Sequence, residues 1–197
     1  MHPVNVADIE SENKGEILLP IARASIADAL GTKLIVNEDA IWLQDKAACF
    51  VTLTQHDELR GCIGTLEAHR SLLEDVKANA ISAAFHDPRF SPLKRKELDY
   101  TEIEVSLLSP TQPLGFADEQ DALAQLRPGI DGVVFEFGRY RSTFLPQVWE
   151  QLPDTKEFMA HLKHKAGLQP DFWADQVRLY RYTVSKWKER DLEEQMT

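Results

Sequence analysis

Two short segments, AACFVTLTQ and LRGCIGTL, are separated only by His56, Asp57 and Glu58. The first alternates, with Cys49, Val51 and Leu53 to one side and Phe50, Thr52 and Thr54 to the other. That period of two is the mark of a half-buried strand. A connection this short joins antiparallel neighbours, because parallel strands need a crossover of about a dozen residues or more. The hairpin therefore argues against a doubly wound parallel sheet.

The remaining segments fit that frame. TEIEVSLLSP alternates, with Ile103, Val105 and Leu107 opposite Glu102, Glu104 and Ser106. GVVFEFGRYRSTFL reads as two strands joined through Gly138, and VRLYRYTVSKW as a final strand. Helices are interspersed. One runs from about Glu16 to Leu30, with Pro20 either in its first turn or kinking it. SLLEDVKANAISAAF opens on a Ser71/Glu74 capping box. Ser91-Pro92 reads as the start of a short helix, PLKRKEL. ADEQDALAQL and PQVWEQL read as short helices, and DTKEFMAHLKHKAGL as a longer one, capped by Asp154 and stopped at Gly167. The expected fold class is α+β, a mainly antiparallel sheet flanked by helices. Residues 1–15 are expected to be a flexible segment, 16–189 one domain, and 190–197 a charged, frayed tail.

Composition narrows the function classes. The chain has 197 residues and a formal charge of −10. A general nucleic-acid binder carries a basic face, so nucleic acid is not an expected partner. The first residues have neither a cationic start nor an apolar core, so no signal peptide is expected, and no apolar run is long enough for a membrane span. Two cysteines do not make a disulfide framework, and the cytoplasm is the expected compartment.

The residues that could carry chemistry cluster in three places. In LRGCIG, strand alternation sends Arg60 and Cys62 to one face, about 7 Å apart along the backbone. A guanidinium there favours a thiolate. Gly61 and Gly64 allow a ligand or another strand to approach closely. The alternative is a packed cysteine with glycines that serve a twist or bulge. HDPRF offers His86 as a base candidate, with Asp87 and Arg89 as ligand groups on a loop fixed by Pro88. Alternatively, Asp87 closes the turn, Arg89 pairs with a carboxylate and Phe90 anchors the loop. Glu102 and Glu104 share a strand face, where Glu104 suits acid–base work or both are merely solvated. Arg139 and Arg141 flank Tyr140 and read as an anion grip or an exposed hairpin tip. His161 and His164, three apart on a helix, do not make a metal motif. No metal or cofactor is expected, since iron–sulfur, phosphate-loop and dinucleotide signatures are absent.

In order, LRGCIGTL, HDPRFSPL, EIEVSLLSP, GIDGVVFEFG, STFLPQVW and KAGL resemble the AMMECR domain family from about Leu18 to Glu189. The LRGCIG and DPRF motifs match at every position from Leu59 to Gly64 and from Asp87 to Phe90. GRYRSTFLP departs from the family pattern, with Arg141 and Ser142 where many relatives have a glycine-rich turn. The resemblance implies a larger and a smaller lobe and a cleft beside the cysteine motif. It also implies Memo-type and radical-SAM-type proteins as partners, and it brings no assigned activity. Two readings follow. In one, the protein is an enzyme with Cys62, His86 and Glu104 catalytic and Arg60, Gly61, Gly64, Asp87 and Arg89 binding a small anionic or peptide-like substrate. In the other, the same cleft belongs to a non-catalytic module that binds a ligand or partner protein. A nucleic-acid-associated role is the weakest alternative. A homodimer is one assembly open to the chain.

Overall fold

A computed structural model describes residues 6–195 of the chain. The chain divides into two compact units, 1–108 with 185–197, and 109–184. Each is built on a four-stranded antiparallel sheet with helices against it.

In the larger unit the elements are α1 (Val6–Ala29), β1 (Ala48–Gln55), β2 (Glu58–Gly64), α2 (Leu72–Phe85), β3 (Glu102–Leu108), β8 (Val184–Lys188) and α5 (Glu189–Gln195). The strands lie in the order β2-β1-β3-β8. Cys49, Val51 and Leu53 of β1 and Ile103 and Val105 of β3 are fully buried in a core shared with α1 and α2. The alternation therefore assigned the inward face of both strands correctly. The Ser71/Glu74 capping box is present and opens α2, with Ser71 Oγ accepting from the Glu74 amide at 3.3 Å.

Four boundaries differ from the sequence reading. Helix α1 begins at Val6, so Pro20 lies in its interior, on an exposed side. Gly15 is buried within it, and a Cβ there would lie 2.6 Å from the Trp187 ring. Ser91-Pro92 does not open a helix. The Leu93 amide instead donates to the Ala84 carbonyl at 2.8 Å, and a 3₁₀ turn starts only at Arg95. The C-terminal segment expected to fray is helical from Glu189 to Gln195. The apparent last strand is two, β7 (Arg178–Tyr182) in the second sheet and β8 in the first. Tyr180, Tyr182 and Val184 alternate locally with Arg181, Thr183 and Ser185, and no Gly or Pro marks the change of sheet.

The smaller unit contains β4 (Gln112–Leu114), α3 (Glu119–Gln125), β5 (Gly132–Phe137), β6 (Tyr140–Phe144), α4 (Thr155–Lys165) and β7, with strands in the order β4-β7-β5-β6. Its core centres on Phe135, Phe158 and Trp149, the last two stacked with ring centroids 3.7 Å apart. Trp149 satisfies its indole N–H on the Asp131 carbonyl at 2.7 Å. Asp131 is itself fully buried and held by Arg127. No helix among the described residues is long and apolar enough to cross a membrane.

Candidate functional site

The hairpin determines where the cysteine motif points. His56 and Asp57 form a two-residue turn with φ of 53° and 64°, the left-handed pair that matches strand twist. Counting back from that turn, Gln55 faces Glu58 and Thr54 faces Leu59, but Leu53 then faces Gly61. Arg60 is the extra residue of a β-bulge. It drops out of the ladder, so strand alternation no longer fixes its direction.

Beyond the bulge the two faces of β2 are assigned by contact. Gly61 faces α2, where a Cβ would lie 2.1 Å from the Ala83 carbonyl oxygen. Cys62 pairs with Thr52 on the opposite face, and the Thr52 hydroxyl donates to its sulfur at 3.3 Å. Gly64 faces Phe50, whose ring would be 2.2 Å from an added Cβ. The close approach that each glycine permits is thus to the protein's own backbone or ring.

The HDPRF loop closes the free edge of β2. Asp87 Oδ2 accepts the Cys62 amide at 2.9 Å, and Arg89 donates to the Cys62 carbonyl at 3.3 Å. Arg89 also grips Asp87 through Nε and Nη2 at 3.0 and 2.7 Å. An exposed strand edge needs partners for its outward amides and carbonyls, and this loop supplies both at one residue. The Asp87 carboxyl is buried, yet Arg89 first, then the amides of Cys62 and Arg89, hold it far below the usual carboxylate range. In turn Asp87, and after it the Cys62 sulfur, raise the Arg89 guanidinium above its ordinary value.

The cation beside Cys62 is therefore Arg89. The Arg60 guanidinium lies 3.5 Å from Glu97 and 6.0 Å from the Phe90 ring centroid. Its Nη1 is buried with no partner among the described residues. Burial pushes the Glu97 carboxyl up, but the Lys94 amide and Arg60 outweigh it and the net shift is downward. His86 caps the C-terminus of α2 through its backbone and is exposed. Among the described residues its ring makes no hydrogen bond to Cys62 or Asp87.

Glu104 pairs with Thr52 across β1 and β3, so it shares the face that carries Cys62. It accepts from Ser106 at 3.3 Å and lies 3.6 Å from Lys188 Nζ. A polar row thus crosses the sheet from Cys62 through Thr52 and Glu104 to Lys188. Glu102 is bound to Arg190 instead, which holds its carboxyl below the usual range. The Arg139–Arg141 tip is an exposed hairpin turn, with Arg141 2.8 Å from Glu136. His161 and His164 are both exposed. No group of three or more metal-ligating side chains is found among the described residues.

Thr52 and Lys188 are the residues that sequence reasoning missed. Without the bulge, counting from the turn would place Thr52 opposite Gly61 and not Cys62. Only the register exposes the pair.

The AMMECR1 family model matches residues 19–187. The chain belongs to the AMMECR1 family. Protein MJ0810 of Methanocaldococcus jannaschii is 38% identical over 181 residues, spanning 89% of this chain and 90% of the relative. A protein of Methanothermobacter thermautotrophicus is also 38% identical, over 91% of this chain and 96% of the relative. The crystal structure of uncharacterized protein PH0010 from Pyrococcus horikoshii superposes with a TM-score of 0.71 at 34% identity, covering 89% of this chain and 91% of that one. The family match and the superposition agree on the α+β fold.

Proposed function

We propose that this AMMECR1-family protein binds a small anionic or peptide-like ligand, or a partner's segment, at the sheet face beside Cys62 and Arg89. The observation that carries the reading is the state of Arg89. Its side chain is 54% exposed while Asp87 and the Cys62 carbonyl hold it in place. Nη1 makes no hydrogen bond among the described residues, so a preorganised N–H group faces solvent next to a half-buried thiol. Preorganised guanidinium donors suit carboxylates and other anions. Asp87, Gly61 and Gly64 support this site by holding β2 in position. They need not touch the ligand.

A second reading, an enzyme that uses the Cys62 thiol, is favoured by the Thr52–Cys62 hydrogen bond. Thr52 supplies a donor and no base, and among the described residues no imidazole or carboxylate is bonded to the sulfur. Binding without covalent chemistry is therefore the primary reading. By resemblance, Memo-type and radical-SAM-type proteins are the partners to try first. Purified candidates are titrated against the native protein, Arg89→Ala and Cys62→Ser, with the melting temperature of each variant recorded. The binding reading expects Arg89→Ala to weaken affinity at least about tenfold and Cys62→Ser to leave it within about threefold. If Cys62→Ser alone abolishes function and binding survives Arg89→Ala, the thiol enzyme replaces it.

A further inference from the structure

A groove of about 910 Å³ lies between α3 and α4 of the smaller unit, the unit that does not carry the Cys62 motif. Its volume falls in the range of small-molecule sites. Leu123, Ala160 and Trp173 give it an apolar wall. Lys163 sits on that wall although it is only 2% exposed, on the side of α4 that also buries Phe158, Met159 and Leu162. Placing an ammonium among such neighbours is costly unless each N–H has a partner. Two have one. Nζ donates to Glu119 Oε1 at 2.8 Å and to the Phe172 carbonyl at 3.0 Å. The third N–H has no acceptor among the described residues, and the Trp173 ring lies 5.9 Å away. Asp118, which also caps α3 by accepting the Asp121 amide, and Asp171 add exposed carboxylates to the lining, and Lys156 adds an exposed cation.

We infer that this groove binds a small zwitterion with an apolar body, of the amino-acid type. The complementarity is threefold. The ligand's carboxylate accepts the third N–H of Lys163. Its ammonium faces the aspartates. Its apolar side chain covers Leu123 and the Trp173 ring, where a cationic neighbour and an aromatic face already coexist. A simple amine would leave the Lys163 donor unmet, and a simple acid would leave the aspartates unmatched. The site is independent of the Cys62 face and stands or falls without it.

The test uses the full chain, 15N-labelled, with L-phenylalanine as probe and the Trp173 indole N–H as reporter. 3-Phenylpropionate and 2-phenylethylamine serve as the two half-ligands. L-Phenylalanine is expected to shift Trp173 saturably, with each half-ligand at least about tenfold weaker. Lys163→Met removes the donor and keeps the bulk. Ala124→Trp, at an exposed lining position, fills the groove and leaves the Lys163–Glu119 pair intact. Each variant is expected to weaken binding at least about tenfold, and Ala124→Trp decides the matter should Lys163→Met not fold. Absence of a saturable shift up to about 10 mM, equal binding of either half-ligand, or undiminished binding by Ala124→Trp overturns the proposal.

Discussion

Cys49 and Cys62 lie on adjacent strands of one hairpin, and the same arrangement holds each backbone. The Cys49 amide donates to Asp75 at 2.8 Å, and Arg70 holds Asp75 at 2.8 Å. The Cys62 amide donates to Asp87 at 2.9 Å, and Arg89 holds Asp87 at 2.7 Å. The side chains differ. Cys49 faces the core and is fully buried; burial, and after it the Asp75 carboxylate, push its thiol well above the ordinary value. Cys62 faces the other side of the sheet, is half-buried, and meets the Thr52 hydroxyl. An Asp–Arg pair beside a cysteine is thus an architectural device in this hairpin. What separates the two thiols is the face to which the strand turns each one.

The largest expected effect lies on the Cys49 side. Asp75 is fully buried and accepts from the Cys49 amide, Thr65, Arg70 and Asn79. Asp75→Ala should cost about 3–5 kcal/mol in urea unfolding, because it strands several buried donors at once. Gly61→Ala should cost about 2–3 kcal/mol by the same measurement. The added methyl would meet the Ala83 carbonyl, and α2 or β2 must shift. A neutral result would mean that the bulge, and with it the direction of Cys62, is adjustable.

Asp87→Asn should cost less than Asp75→Ala, about 2 kcal/mol, since Arg89 is half-exposed and can be solvated. Its pH dependence identifies the cause. The folded carboxyl titrates below the unfolded value of 3.8, so the unfolded state takes up the proton first as the pH falls. The contribution is complete above that value and fades as the pH falls through the folded one. The stability gap between native protein and Asp87→Asn should therefore be constant near neutrality and narrow below about pH 4. Smallest is Thr52→Val, expected within about 1 kcal/mol, because one partly exposed hydrogen bond is lost. Its use is to ask whether the hydroxyl sets the reactivity of Cys62.

Much of this comparison was legible in the sequence, and the limits have physical causes. Alternation places Cys49, Val51 and Leu53 inward because a period of two against an apolar core has one solution. The Ser71/Glu74 box is a local signal with a local partner. Asp87 and Arg89 were visible as a turn clasp, the reading that the geometry favours. The direction of Arg60 was not legible, because a single-residue bulge leaves no mark in the pattern yet releases every alternation argument across it. His86 reads as a base candidate from its place in the polar HDPRF loop. Its position at the exposed end of α2 depends on where the helix stops. The change of sheet at Thr183 was hidden because Tyr180, Tyr182 and Val184 alternate locally across it and no Gly or Pro interrupts the run.

The central claim is that the hairpin seals one thiol and presents the other, and iodoacetamide labelling of the folded protein, read by peptide mass spectrometry, tests it most directly. The account predicts that Cys62 is modified first and that Cys49 reacts only once the protein is unfolded in urea. Modification of Cys49 before Cys62, or of neither until unfolding, would contradict it.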